Sequence, residues 1–418
     1  QFFEIDGVGD FSEAATVEVG ALPDMLTFTP DGTKVVVANE GEPDGYCTPG
    51  IAGDPKGSIS IIDVSGGVEN LNTVDDVENA DFTTFNGQID ELRAAGVRIF
   101  GPNASVAQDL EPEYVAIDAD STTAWVALQE NNALAIVDLD TATVTDIAPL
   151  GFKDHSAAGN ALDPSDRDSG IAIANWPVMG MYMPDGMDAY EFGNRTYLVT
   201  ANEGDAREYE CYEEEARIKE LVLDDTVFPD AAVLQQDANL GRLNSTTSFD
   251  TTGLPATELY SFGARSFSIW DEAGGLVFDS GDEFEQITTQ LIPDDFNSDN
   301  DENDSFDSRS DAKGPEPEGI EIAEVFSKTY AFIGLERVGG IMVYDITTPR
   351  NPKFVEYVNN RDFSIEDPAD PAAGDLGPEG LTFIAPVDSP NGRPLLVVAN
   401  EVSGTTTIFQ IDGPGRQR

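Results

Sequence analysis

Three stretches of the chain align without a gap: VALQENNALAIVDL (Val126–Leu139), IGLERVGGIMVYDI (Ile333–Ile346) and VANEVSGTTTIFQI (Val398–Ile411). In each, a β-rich run ends on an acid or amide (Gln129, Glu336, Glu401), and a second alternating run closes ten residues later at Leu139, Ile346 and Ile411. Two alternating runs joined by a short polar turn are the pattern of a β-hairpin. A fourth copy starts at VVVANEGEPDG (Val35–Gly45) and resumes as GSISIIDV (Gly57–Val64). A fifth starts at YLVTANEGDARE (Tyr197–Glu208) and departs into a longer excursion.

Upstream of the hairpins lies a further strand with its own signature. These strands begin in LPDMLTFTPDGTK (Leu22–Lys34), EPEYVAIDADSTT (Glu111–Thr123), WPVMGMYMPDG (Trp176–Gly186), PEPEGIEIAEVFSK (Pro315–Lys328) and GPEGLTFIAPVDSPNG (Gly377–Gly392). A weaker sixth unit is FGARSFSIWDEAGGLVFDSGDE (Phe262–Glu283). Several antiparallel strands per unit of about 40 residues is the pattern of propeller blades. The expected fold is therefore all-β: a single β-propeller domain over residues 1–418, of six blades. A seventh is expected only if it hides in the insertions or is shared between Ala15–Gly20 and the C-terminal strand. Helix is expected only in insertions, at Gln88–Gly96 and Glu213–Leu223. The acidic tract Pro293–Gly314 has almost no apolar content and is expected as a loop. Its Asn297, Asp299, Asp301 and Asn303 alternate as in hard-cation loops, without the Gly and Glu of an EF-hand.

In a propeller blade the innermost strand starts at one face of the channel and the next strand returns to that face. The residue that opens the first strand and the residue that closes the second therefore lie near each other. Opening residues are Asp24, Glu113, Glu318 and Glu379, with Met179 and Arg265 as exceptions; closing residues are Glu40, Gln129, Glu203, Glu336 and Glu401. Further acids sit beside them at Glu42, Asp205 and Glu316. Turn capping accounts for any one acid at a strand end, but it does not demand the same phase in loops of unrelated length. Carboxylates converging on one opening repel unless compensated, and bound cations are an economical compensation. Oxygen-only ligands predict a hard ion, Ca²⁺ first, with Mg, Mn or Fe as alternatives. The metal-ligand candidates are Glu40, Glu42, Glu113, Glu203, Asp205, Glu316, Glu318, Glu336, Glu379 and Glu401. Arg207, Arg265 and Arg337 stand among these acids. They either neutralise neighbouring carboxylates or, with the metal, hold a phosphate group.

Acidic residues number 79 against 22 basic ones in 418, a formal net charge of −57. That excludes a basic footprint for nucleic acid or anionic membrane and makes cations the expected partners. No run reaches the roughly 18 apolar residues of a membrane span, and the first residues lack the regions of a signal peptide, which is read as already removed. The two cysteines, Cys47 and Cys211, both follow an ANEG motif, so a fold that superposes the motifs brings the thiols together. A disulfide is the first reading; a metal thiolate or two free thiols are the alternatives. One histidine, His155, leaves no basis for a His-rich zinc site.

The motifs LPDMLTFTPDGTKVVVANEGEP, EPEYVAID, LDPSDRD, TANEGDARE, RSDAKGPEPEG and VVANE resemble the choice-of-anchor I family, which also covers mesenchyme-specific cell-surface glycoproteins. The resemblance runs over nearly the whole chain and implies a secreted or surface-attached protein, alkaline-phosphatase-like in its labels. More remotely, the PEG strands resemble those of β-propeller phytases and PhoX-type phosphatases, which implies Ca²⁺, with iron in the PhoX type, held by channel-mouth carboxylates. On that likeness Glu113, Glu318 and Glu379 carry over as metal-site candidates; Gln129 departs from the pattern. The expected function is a secreted metal-dependent phosphoesterase acting on a phosphate ester, the alternative a non-catalytic calcium-binding protein of the cell surface or matrix. No serine or threonine stands out as a nucleophile.

Overall fold

The computed structural model describes residues 1–7, 9–47, 53–71, 76–248 and 255–413. The chain is mostly β, 37% strand against 11% helix, in many small antiparallel sheets. It divides into two units, Gln1–Leu150 with Glu208–Glu213, and Gly151–Arg207 with Glu214–Arg418.

The first unit contains two four-stranded meanders. One runs Pro23–Phe28, Lys34–Asn39, Ser58–Asp63, Val77–Asp81; the other Val115–Ile117, Thr123–Leu128, Ala133–Asp138, Thr143–Pro149. The middle strands are buried along nearly their whole length, which is why they read as continuous apolar runs. Val36, Ile59 and Ile61 of one meander and Val126, Leu128 and Val137 of the other join Leu92 of the helix Ile89–Ala95 in one core. That helix fills the predicted Gln88–Gly96 insertion and ends on Gly96 at φ 106°, the left-handed cap glycine accepts without a Cβ clash. The thiols of Cys47 and Cys211 form a disulfide, which falls wholly within this unit and closes 164 residues of sequence. In the chain-entropy model a loop of that length is worth about 5 kcal/mol.

The second unit carries two further four-stranded sheets, Met187–Glu191, Thr196–Asn202, Ser266–Asp271, Leu276–Asp279 and Pro317–Val325, Lys328–Leu335, Ile341–Asp345, Lys353–Val358. It also holds a three-stranded meander, Pro378–Ile384, Leu395–Asn400, Thr405–Gln410. A second three-stranded sheet is formed by Phe152–Asp154, Met179–Met181 and Tyr260–Ser261, with its last pair parallel. Here the structure corrects the repeat. The units read from Trp176 and Phe262 are not two blades: Ser266–Asp271 pairs with Thr196–Asn202 from Asn202↔Ser266 to Tyr197↔Asp271, completing one sheet across the excursion. Met179 belongs to the separate, partly parallel sheet.

The predicted helix at Glu213–Leu223 is also corrected. Its residues form the short strand Glu215–Arg217 paired with Asn244–Thr246, then one 3₁₀ turn, Ile218–Glu220. The reason is tertiary: Ile218 is buried in a cluster with Leu240, Leu243 and Leu259, and the Arg217 guanidinium donates to the carbonyls of Arg242 and Asp311. The tract Pro293–Gly314 is loop, as its composition predicts, and much of it is buried: Asn297, Ser298, Asp307 and Ser310 are 0 to 4% exposed.

Candidate cation-binding site

Each sheet that carries the repeat is entered through a proline followed by an acid, and the backbone register is the same each time. Glu113 donates from its amide to the Ala127 carbonyl (3.0 Å), and the Ala127 amide returns to Tyr114 (2.8 Å). Asp185 donates to Ala201 (3.1 Å), and Ala201 returns to Gly186 (2.9 Å). Pro23, Pro317 and Pro378 stand opposite Asn39, Leu335 and Asn400, so the next residues out are Glu40, Glu336 and Glu401. The opening residue of the Met187–Asp279 sheet is therefore Asp185, not Met179 or Arg265. Sequence reasoning missed it by starting that unit at Trp176; the dipeptide Pro184–Asp185, matching Pro317–Glu318 and Pro378–Glu379, is the signal that finds it.

The glycine after the acid has a steric cause. A Cβ on Gly186 would lie 2.3 Å from the Glu318 carbonyl oxygen, and one on Gly319 would lie 1.8 Å from that of Glu379. Successive opening strands thus touch backbone to backbone, and Gly186 donates to Glu318 at 3.1 Å. That contact draws the acids of the second unit together.

Carboxylate oxygens of Asp185, Glu203 and Glu318 lie within 4.8 Å of one another. Glu203 is buried, and Asp185 and Glu318 are half-buried. Glu318 Oε2 is buried with no hydrogen-bond partner among the described residues. Burial first, then the charges of Glu203, Asp185, Glu336 and Glu379, push the Glu318 carboxyl up to about 12. Without a cation this group holds a proton at neutral pH.

Two residues earlier the situation is reversed. Glu316 is fully buried, at φ 48°, and its two oxygens meet Arg309 at 2.8 Å, Lys313 at 3.2 Å and Arg337 at 3.2 Å. Burial raises its carboxyl, but the three cations outweigh burial and hold it at about 2. Lys313 also reaches Glu203 at 2.6 Å and Asp205 at 4.0 Å. Arg337 reaches Glu336 at 3.1 Å, and Asn300 bridges the pair by accepting from Arg337 and donating to Glu336. The oxygens of Glu203, Glu316 and Glu336 also lie within 4.8 Å of one another, but basic side chains already compensate that group.

Of the three arginines expected either to neutralise carboxylates or to hold a phosphate, Arg265 and Arg337 pair with carboxylates. Arg265 is 4% exposed, and its terminal nitrogens donate to Glu285, to the Asp163 carbonyl and to the carbonyls of Ser310 and Ala312. Its fork is an internal tie between segments. Arg207 is 1% exposed, its amide donating to Glu214. Arg337 keeps 27% of its side chain exposed while pairing with Glu316 and Glu336. Glu379 and Glu401 are exposed; of the two, Glu379 acts on Glu318 through its charge.

In the first unit, Glu40 is pushed up to about 8 by burial and then by Glu42, Asp24 and Glu130. Asp24 is raised by burial, Glu130 and Glu42. Tyr209 donates to Glu42 at 3.2 Å and to Glu111 at 3.3 Å. Glu113 is 9% exposed and Gln129 6% exposed. The repeat thus brings opening and closing acids close within each unit, with the neutral Gln129 in place of one carboxylate.

Residues 1–349 match the model of the choice-of-anchor I domain. The chain is 30% identical over 191 residues to Gigasin-3a of Magallana gigas, a match that covers 43% of this chain and 67% of that protein. It is 28% identical over 289 residues to a mesenchyme-specific cell surface glycoprotein of Strongylocentrotus purpuratus, covering 59% of this chain and only 36% of that relative. Among solved structures, the periplasmic gluconolactonase of Pseudomonas aeruginosa aligns over 99% of this chain and 88% of its own, at 12% identity and a TM-score of 0.39.

Proposed function

The chain belongs to the choice-of-anchor I family, and from that premise we propose an extracellular propeller-type protein, its meanders acting as blades, that binds a hard divalent cation, Ca²⁺ first, at Asp185, Glu203 and Glu318. The observation that carries this reading is Glu318, a carboxylate with a buried, unpartnered oxygen and two further acids within 4.8 Å. Its donors fit the ion: all are oxygens, and Glu379 adds charge from the neighbouring opening strand. A bound cation would supply the charge that the side chains around Glu318 do not. Lys313 leans on Glu203 from the side of Glu316, which leaves Glu318 as the acid without a basic contact among the described residues. The disulfide and the relative named as a cell surface glycoprotein support an extracellular setting.

One observation favours phosphoester hydrolysis as a second reading: Arg337 is partly exposed beside Glu336, one of the charges acting on Glu318. A single guanidinium tied to two carboxylates is a weaker phosphate clamp than three free forks, and so binding without turnover ranks first. The test is metal content of the purified chain, together with hydrolysis of a phosphomonoester and a phosphodiester, with and without chelator. Stoichiometric Ca²⁺ without turnover is the expected result. Turnover lost to chelator would install the hydrolase, and absence of tightly bound metal would overturn both.

A further inference from the structure

Two half-buried acids of the second unit, Asp188 and Glu321, lie outside the group of Asp185, Glu203 and Glu318. They stand at the same place in two successive motifs, PDGMD (Pro184–Asp188) and PEGIE (Pro317–Glu321), four residues after the opening proline. Each makes the same bond. Asp188 Oδ2 accepts the amide of Ile322 at 2.9 Å, and Glu321 Oε1 accepts the amide of Phe383 at 3.0 Å. Ile322 and Phe383 both stand five residues after the opening proline of the next strand, so the register is identical in the two pairs. The other Asp188 oxygen accepts the amide of Ala189 at 2.7 Å, which holds that carboxylate in place.

The amides need these acceptors. Each opening strand is the edge of its sheet, with a β partner on one side only, so amides on its other side have no ladder bond. An acid from the neighbouring opening strand supplies the acceptor. The same strands already touch at one point, beside the acids at their mouths: Gly186 donates to the Glu318 carbonyl at 3.1 Å, and Gly319 packs against that of Glu379. One point of contact leaves two strands free to pivot about it. The bond from acid to amide adds a second point further along, and two points fix the angle. Asp185, Glu318 and Glu379 project from the near end of these strands, so that angle sets how closely their carboxylates converge. Asp188 and Glu321 are three residues beyond Asp185 and Glu318, roughly 10 Å at the rise of a strand. That is too far to share one ion whose oxygens lie at about 2.3–2.6 Å.

We propose that Asp188 and Glu321 are positioning residues of the Glu318 cation site, stitching three opening strands at the angle that brings Asp185 and Glu318 within reach of one ion. The inference rests on the Glu318 reading and adds what holds that site in shape. Both acids serve as hydrogen-bond acceptors and not as ligands. Their charge is therefore dispensable for Ca²⁺ binding, and their acceptor oxygen is not.

The test is made on the full, disulfide-intact chain, stripped with chelator and titrated with CaCl₂, with affinity and number of bound ions read separately. Glu321→Ala and Asp188→Ala are each expected to bind Ca²⁺ about 10-fold more weakly, the low end of what loss of a supporting partner costs a metal site. Both still bind the wild-type number of ions at saturation. Glu321→Gln keeps an acceptor carbonyl for the Phe383 amide and is expected to bind within about twofold of the wild type. Amide exchange across residues 378–384 quickens in Glu321→Ala and not in Glu321→Gln. Wild-type affinity in both alanine variants overturns the proposal even if their melting temperatures fall, since a bond that only stabilises the fold would give that result. Equal weakening in Glu321→Gln and Glu321→Ala also overturns it, because the ion would then be responding to the charge. If Asp188→Ala does not fold, the two Glu321 variants carry the test. A wild type without tightly bound Ca²⁺, or a Glu318→Gln variant that retains its ion, sinks the Glu318 reading itself and the positioning role with it.

Discussion

Glu316 and Glu318 sit two residues apart at the mouth of one strand, and their surroundings push them in opposite directions. Glu316 has three basic partners and is held at about 2, while Glu318 has acidic neighbours and is pushed to about 12. The difference is one of phase. A strand alternates its faces, but here a bulge lies between Pro317 and Ile320, and Glu316 stands at positive φ before the strand begins. The turn aims Glu316 at Arg309, Lys313 and Arg337, whereas the strand register aims Glu318 at the other opening residues. Burial raises both carboxyls, so the depressed value of Glu316 reports its company, whereas Glu318 is raised by depth first and by its acidic neighbours in addition.

The largest way to break the contrast is to remove the paired acid. Glu316→Gln removes the counter-charge that Arg309, Lys313 and Arg337 share, and because Asp299, Glu203 and Glu336 still pair with them, the loss falls below the roughly 3–5 kcal/mol of a fully stranded buried charge. Urea unfolding of the disulfide-intact chain should show that loss, with little change in the Ca²⁺ bound per chain. An unchanged midpoint would mean that the network is not what holds the 309–316 turn.

Glu318→Gln should act in the other direction when no metal is present. At pH 7 the folded wild type must keep a proton on a group that is ionised in the unfolded chain, whose ordinary value is 4.5. At 1.36 kcal/mol per unit this costs on the order of 3 kcal/mol, which the amide does not incur. The variant is therefore more stable than the stripped wild type at neutral pH, and less stable than the wild type in saturating Ca²⁺. Equal metal content in the two proteins would remove Glu318 from the site.

The same pair sets a pH profile. Because the folded value of Glu318 is raised, the folded state binds a proton that the unfolded state releases, and metal-free stability falls as pH climbs from about 4.5. Glu316 is depressed, so its contribution is complete above about 4.5 and drains away as pH falls toward 2. Melting of the chelated chain should peak near pH 4–5. Glu318→Gln should make the alkaline limb shallower, and Ca²⁺ should lift that limb more in the wild type than in the variant.

How much of this was legible without coordinates depends on which force placed each residue. The hairpins and the acids at Glu203, Glu318 and Glu336 could be read because pleat and repeat place them locally, whereas Glu316 stands outside that register, in the turn before its strand. Asp185 was missed because its sheet is split by the excursion between Asn202 and Ser266, so that the true partner strand lies 64 residues away in the sequence. The arginine roles were also beyond local pattern. Arg265 finds Glu285, Ser310 and Ala312 through tertiary contacts alone, and Lys313 looks like one more loop residue until it is seen between Glu203 and Glu316.

The smallest expected effect is the sharpest control. Asp140 carries the same charge as Glu318 and has an ion pair of its own, with Lys34 at 3.0 Å, yet 72% of its side chain is exposed. Water already solvates it, and exposed pairs contribute about 0–1 kcal/mol. Asp140→Asn should leave bound Ca²⁺ unchanged and shift stability by less than about 0.5 kcal/mol, an effect that shrinks further in salt. If removing this charge lowered metal content as Glu318→Gln is expected to, the ion would be responding to the net charge of −57 and not to the register of the repeat. The two substitutions together therefore separate a site from an atmosphere.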